Sequence, residues 1–276
     1  MGDFSVSNII DYYNKFDEWG RLDREPLEFL INMHHIRAHL PLTGRILDNG
    51  AGPGKYSMEL AKQGYQLTLS DLTERLVEVA QQKAVEFELQ DQFDGFHVLD
   101  ACDLRSLSDE QFDATIMLGP MYHLQSEHNR VRAIQELYRV TKSGGIVFVA
   151  FMSRTKFLHT SLHQPQYWKP NHTSQGISTF LETGIFNHTD EGRFTEAYYY
   201  PIEDIAPFME ARGFDTIKLI GSNSVATHMT NEQWDYWKDR GDVEFNTIMR
   251  IVMEQSENPY ILGSSSHLMY IGRKQS

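Results

Sequence analysis

Arg45-Ile46-Leu47-Asp48-Asn49-Gly50-Ala51-Gly52-Pro53-Gly54-Lys55-Tyr56 is the stretch that decides the fold. A short apolar run, Arg45–Asn49, feeds three alternate glycines, and Lys55–Gln63 then reads as a helix. Glycines at a strand-to-helix turn let a ligand reach the backbone, because no Cβ intervenes and positive φ is open. A plain tight turn in an α/β protein would also satisfy this pattern. The spacing is G-x-G-x-G rather than the G-x-G-x-x-G of dinucleotide enzymes, and Pro53 removes one backbone N–H. A loop with fewer donors suits a zwitterionic amino acid better than a pyrophosphate.

Downstream, short apolar runs alternate with amphipathic stretches. Strands are expected at Gln66–Ser70, Gly95–Leu99, Phe112–Leu118 and Gly145–Phe151, and helices at Thr73–Phe87 and Glu127–Thr141. The last helix carries Val131, Ile134, Leu137 and Tyr138 at helical spacing and stops at Ser143-Gly144-Gly145. Strands alternating with helices predict right-handed crossovers and a doubly wound, Rossmann-like α/β sheet. After Phe151 the alternation breaks: Thr155–Tyr200 has no clear period. A helix over Pro201–Arg212 ends at Gly213, Phe214–Ile220 is strand-like, Asn223–Pro259 is irregular or helical, and His267–Gly272 is a final apolar run. Upstream, Leu27, Leu30, Ile31 and His34 form a helical stripe. The division expected is one domain over residues 1–276. It comprises a helical cap (1–44), a core (45–151), cap insertions (152–200 and 222–262), and a last helix and strands (201–221 and 263–276). Long segments without regular pattern are commonly lids or binding loops.

Composition narrows the partners. Twenty-five Lys and Arg face 38 Asp and Glu, a net charge of −13. So acidic a surface repels phosphate backbones and anionic lipid, so neither nucleic acid nor membrane is expected as a partner. The lone cysteine, Cys102, forms no intrachain disulfide. No secretory leader or membrane-spanning run is read, so a cytoplasmic protein is expected. Nothing in the sequence sets the oligomeric state.

Two acids follow strands. Asp71 closes the second strand, where carboxylates of doubly wound folds accept from ribose hydroxyls; it also suits the N-terminus of the helix after Thr73. Asp100-Ala101-Cys102 follows the third strand, where a carboxylate is able to accept from an exocyclic adenine amine. Cys102 reads as buried filler, with no basic residue to activate it.

The run ILDNGAGPGKYSMELAKQGY, LTLSDLTERLVEVA, LDACDL, FDATIMLGPMYHL and ELYRVTKSGGIVFV resembles the class I S-adenosylmethionine-dependent methyltransferases. It is similar in particular to a bacterial small-molecule branch with a G-P-x-Y-H-L turn after the fourth strand. The likeness is strong over Arg45–Phe151 and weaker through Tyr13, Glu18–Leu22 and the terminal SSSHLMYIGRK. Asn49 departs from the small or apolar residue of many relatives. The resemblance implies a mostly parallel sheet with an antiparallel last strand, and S-adenosylmethionine as cofactor with S-adenosylhomocysteine as product. It implies that Asp48, Gly50, Gly52 and Gly54 frame the methionine moiety and that Asp71 holds the ribose. Asp100 and Ala101 would face adenine, and Leu118 and Gly119 would lie beside the methyl group. Tyr13, Ala51, Leu72 and Cys102 complete the cofactor set.

Methyl transfer from a sulfonium needs alignment and exclusion of water, with a base only where the acceptor must lose a proton. Gly119-Pro120-Met121-Tyr122-His123-Leu124 leaves the fourth strand at its ligand-binding end. His123 is therefore the candidate base and Tyr122 a candidate for positioning the acceptor; packing at the sheet end would also account for both. His159 with His163, and His34, His35 and His39, are close in sequence, but spacing offers no third ligand, so no metal is expected. The cap aromatics Tyr167, Trp168, Phe180, Phe186, Tyr198, Tyr199, Tyr200, Trp234 and Trp237 would form cap core or wall a substrate pocket. The expected activity is transfer of a methyl group to an O or N atom of a small-molecule acceptor. The alternatives are a non-catalytic S-adenosylmethionine-binding regulator and a NAD-linked oxidoreductase.

Overall fold

A computed structural model describes residues 4–24, 26–190 and 193–276. Three helices precede the sheet: α1 (Phe4–Lys15), α2 (Glu18–Arg24) and α3 (Pro26–His39). The βα units follow as β1 (Arg45–Asn49), α4 (Lys55–Ala61), β2 (Gln66–Asp71), α5 (Glu74–Glu86), β3 (Phe93–Val98), β4 (Phe112–Met117), α6 (Glu127–Val140) and β5 (Thr141–Met152). Next come α7 (Arg154–His163), α8 (Ser174–Thr183), the short strands β6 (Ile185–Phe186) and β7 (Ala197–Tyr198), α9 (Ile202–Glu210) and β8 (Phe214–Gly221). The chain ends with α10 (Asn231–Asp239), α11 (Asp242–Gln255) and β9 (His267–Lys274).

The described strands form a seven-stranded sheet in the order β3-β2-β1-β4-β5-β9-β8. The first five are parallel; β9 runs antiparallel to both β5 and β8. The expected doubly wound architecture with an antiparallel last strand is thus the observed one. Burial on both faces explains the unbroken apolar runs of the central strands. Ile146 and Phe148 point to the face covered by α3 and α4; Val147, Val149 and Phe151 point to the face covered by α6 and α9. The order in which strands are added to the sheet reverses between β1 and β4, and ligands bind at such a switch point.

Two readings change. β5 begins at Thr141 rather than Gly145, with an irregular pairing to β4 between Phe112 and Ala114. The stripe on α3 is shifted: Ile31, Asn32, Met33, His35 and Ile36 are buried, whereas Leu30 and His34 are exposed. α3 packs on the sheet and also meets the end of α11, where His35 Nε2 lies 2.8 Å from Ser256 Oγ, so its buried arc is wide and turned. The segments expected to be irregular or helical hold both: α7 and α8 lie within 152–200 and α10 and α11 within 222–262, joined by irregular chain. Ser153 and Thr173 cap α7 and α8, and Thr230 with Gln233 forms a capping box on α10.

Candidate active site

The loop after β1 and the turn after β4 meet at the switch point. Gly50 adopts φ +70°, and a Cβ there would come within 2.3 Å of the Pro120 ring. A Cβ on Gly119 would stand 3.1 Å from the Gly50 carbonyl. Gly50 is therefore needed for this approach, and a side chain at Gly119 would crowd it. Gly54, at φ +80°, faces away from the cavity: its Cβ would strike Leu69, so it permits close packing of α4 on β2. Asn49 ties the strand ends together, accepting from Ser70 Oγ at 3.1 Å.

The N–H groups of this loop are all in use. Gly50 and Ala51 donate to the Ser70 carbonyl, Gly54 donates to Ala51, and Gly52 donates to Asp71 Oδ2 at 2.8 Å. Pro53 has none. Thr73 N–H donates to the other Asp71 oxygen, also at 2.8 Å. The Asp71 carboxyl is thereby fixed at the mouth of β2, although burial raises its pKa. Burial also lifts Asp48, opposed by the hydrogen bond from Ser57 and reinforced by the charge of Asp71, to about 7.

Between these groups lies a cavity of about 560 Å³, within the size range of small-molecule sites. Of the residues singled out from the sequence, Tyr13, Asp48, Gly50, Ala51, Gly52, Asp71, Leu72, Asp100, Ala101, Cys102, Leu118, Gly119, Tyr122 and His123 line it; Gly54 does not. Asp100 accepts from the Cys102 N–H at 2.8 Å. Burial, with Asp100 beside it, pushes the Cys102 thiol up to about 12, which removes it as a nucleophile.

The N-terminal helices contribute what sequence reading missed. Glu18, Arg21 and Glu28 line the same cavity. Arg21 donates through Nε and Nη2 to Glu18 at 2.9 and 2.7 Å, and its Nη1 lies 3.5 Å from Glu28. His267 Nδ1 stands 3.1 Å from Glu28. Burial alone would raise Glu28, but His267 and Arg21 hold it at about 2. The pattern E18-x-x-R21 was legible as a helical ion pair; its convergence with Glu28 and His267 depends on tertiary packing.

The opposite end is aromatic. Tyr13 Oη lies 3.0 Å from His123 Nε2. The rings of Tyr122 and Phe194 flank His123 at 5.0 and 5.2 Å between centroids. Burial lowers His123 to about 4 and raises Tyr13 well above the ordinary phenol range. His159 and His163 stack at 4.1 Å on the outer cap, and no group of three metal-ligating side chains is found among the described residues.

Residues 47–149 match the methyltransferase domain family. Over these residues the chain is similar to methyltransferase domains. Over 200 residues, 65% of the chain, this protein is 27% identical to YqeM of Bacillus subtilis, whose name marks it as a methyltransferase, and covers 76% of that protein. It is 30% identical over 159 residues to the ubiquinone biosynthesis O-methyltransferase of Xanthomonas oryzae pv. oryzae, covering 56% of this chain and 64% of that one. Among solved structures, an S-adenosylmethionine-dependent methyltransferase of Methanosarcina mazei shares the fold, with a TM-score of 0.59 and 21% identity, over 87% of this chain and 97% of that one. The donor set of the cavity fits S-adenosylmethionine better than a dinucleotide. A loop with no free N–H and walls bearing Asp48, Asp71, Glu18 and Glu28 would repel a pyrophosphate, and accept a nucleoside joined to an amino acid. Among the described residues no helix is long and apolar enough to cross a membrane.

Proposed function

We propose that this methyltransferase transfers a methyl group from S-adenosylmethionine to an O or N atom of a small-molecule acceptor held beneath α1. The observation that carries the reading is the 3.0 Å contact between Tyr13 and His123 at the far end of a cavity whose near end is built from Asp48, Asp71 and Asp100. Asp71 accepts from the ribose hydroxyls with the lone pairs that Gly52 and Thr73 leave free. Asp100 and Ala101 address the adenine; Asp48, Gly50 and Gly52 frame the methionine moiety, with Ala51, Leu72 and Cys102 completing the walls. Leu118 and Gly119 line the passage to the acceptor.

When bound, the cofactor supplies an electrophilic methyl carbon on a sulfonium, open to in-line displacement. The residues then align the acceptor and remove its proton. His123 is neutral at physiological pH, and with its proton on Nδ1 its Nε2 accepts from the Tyr13 hydroxyl. An acceptor O–H or N–H that donates to Tyr13 Oη passes its proton there as the Tyr13 proton moves to His123. Tyr122 orients the acceptor, and the aromatic walls exclude water. A cavity of about 560 Å³ supports a small acceptor, as does an acidic chain that disfavours polyanions.

Titration calorimetry with S-adenosylmethionine, S-adenosylhomocysteine and NAD tests the cofactor side. The two sulfur nucleosides are expected to bind in the micromolar range and to lose binding in Asp71→Ala. Heat on NAD alone would sink the reading.

A further inference from the structure

From Ile9 onward, the helix that carries Tyr13 is only partly buried. No described side chain of α1 is fully buried, and its outer positions Asp11, Asn14 and Lys15 are exposed. Its carboxyl end is also short of donors, because the last carbonyls of a helix have no partner within it. Those carbonyls are met from another element: Arg75 Nη2 donates to the Tyr13 carbonyl at 2.7 Å and to the Phe16 carbonyl at 3.2 Å.

Arg75 is exposed and sits in the first turn of α5, where a cation opposes the helix dipole. At the carboxyl end of α1 the same charge is favourable. Its placement serves α1 at the expense of its own helix. The location is also informative. α5 starts directly after Asp71 and Thr73, the residues whose contacts fix the ribose side of the cavity. A single side chain thus joins the cofactor end of the site to the backbone of the residue that meets His123.

We propose that Arg75 is a positioning residue that holds the end of α1, and through it the Tyr13 hydroxyl, in register with His123. This rests on reading Tyr13 and His123 as the acceptor-side pair. Lining residues set what the cavity binds, whereas Arg75 sets whether the pair is assembled. Its loss leaves cofactor affinity intact and loosens α1.

The test uses the full chain, with Arg75→Met, Arg75→Lys and Tyr13→Phe. The imidazole resonances are followed by NMR, with His123 assigned by its loss in His123→Gln. The Nε2 signal of His123 reports the hydrogen bond from Tyr13. In Arg75→Met it should move toward its position in Tyr13→Phe, while the other histidines stay in place. Arg75→Lys, which keeps a donor, should return it toward wild type. Chymotryptic cleavage within α1 should become about tenfold faster in Arg75→Met, the scale on which lost ordering shows. A His123 signal unchanged in Arg75→Met overturns the proposal, as does displacement of all the histidine signals together, which would mark general unfolding. Calorimetry with S-adenosylhomocysteine separates this from the parent reading. Wild type that fails to bind removes the methyltransferase assignment. Normal binding by Arg75→Met with a shifted His123 signal supports the positioning role.

Discussion

The Tyr13 hydroxyl and His123 Nε2 lie 3.0 Å apart although 110 residues separate them in the chain, and each comes from a different wall of the cavity. One is on a helix that precedes the sheet; the other follows its fourth strand. Their meeting closes one end of the cavity.

Tyr13→Phe and His123→Gln are each expected to reduce turnover by about 10²–10⁴, the contribution typical of proton transfer by a positioned group. Tyr13, which the resemblance puts in the cofactor set, is read here on the acceptor side, so S-adenosylhomocysteine affinity should stay within about threefold. Parallel single-turnover assays and calorimetry with an acceptor found by screening decide it. Unaltered turnover in both variants would remove the pair from the mechanism.

Asp48 should make cofactor binding depend on pH. Burial holds its carboxyl at about 7, so it is neutral below that pH and charged above it. The charged form attracts the positive groups of S-adenosylmethionine, and affinity should rise from pH 6 to pH 8. Asp48→Asn should flatten the profile. Because the folded pKa lies above the ordinary carboxylate value, charging opposes folding, and this contribution to stability is lost as pH rises through about 7. The same variant should therefore melt higher than wild type at pH 8, before ligand is added. A steep affinity profile surviving in Asp48→Asn would contradict the assignment.

Gly50 and Gly64 separate steric need from backbone preference. Both have positive φ, +70° and +91°, which costs a residue with a Cβ about 1–2 kcal/mol. A Cβ at Gly64 meets nothing within 4 Å; at Gly50 it collides with Pro120. Gly64→Ala should lower Tm by a few degrees, since about 1 kcal/mol is ~2–4 °C in a chain of this size. Gly50→Ala should lower it further and also abolish S-adenosylhomocysteine binding. Equal shifts in the two variants would mean that the loop and the turn are not in close contact in solution.

Two buried histidines predict sensitivity to acid. His35 and His123 are both lowered to about 4 by burial, with His34 adding to the effect on His35. The unfolded chain takes up their protons near the ordinary value of about 6.5, well before the folded one does. Stability should fall as pH drops from about 6.5 towards 4. Thermal melts across that range should show a shallower decline in His35→Gln and His123→Gln than in wild type.

The sheet was legible because its signals are local. Arg45–Asn49 ends where the glycines begin, and Gln66, Phe112 and Phe214 open strands at the expected residues. The near end of the cavity followed from the same logic, since Asp71 and Asp100 close strands whose order the βα alternation dictates. Glu28 escaped because a first-turn acid on a helix is ordinary until Arg21 and His267 close around it. α7 escaped because its amphipathic pattern is weak, whereas the capping box at Thr230 and Gln233 stood in the sequence as a usable signal for α10. Gly54 was read as part of the ligand frame; its spacing is that of the motif, but its empty side faces Leu69.

The loop after β1 satisfies all its own N–H groups before any ligand arrives. Such a floor loses no hydrogen bonds and needs no rearrangement when occupied, so the ordering entropy of binding falls on the roof. Selectivity for the cofactor is then a property of the resting protein, while the rate at which the site opens and refills belongs to α1. A fold built this way is free to replace its roof without rebuilding the floor.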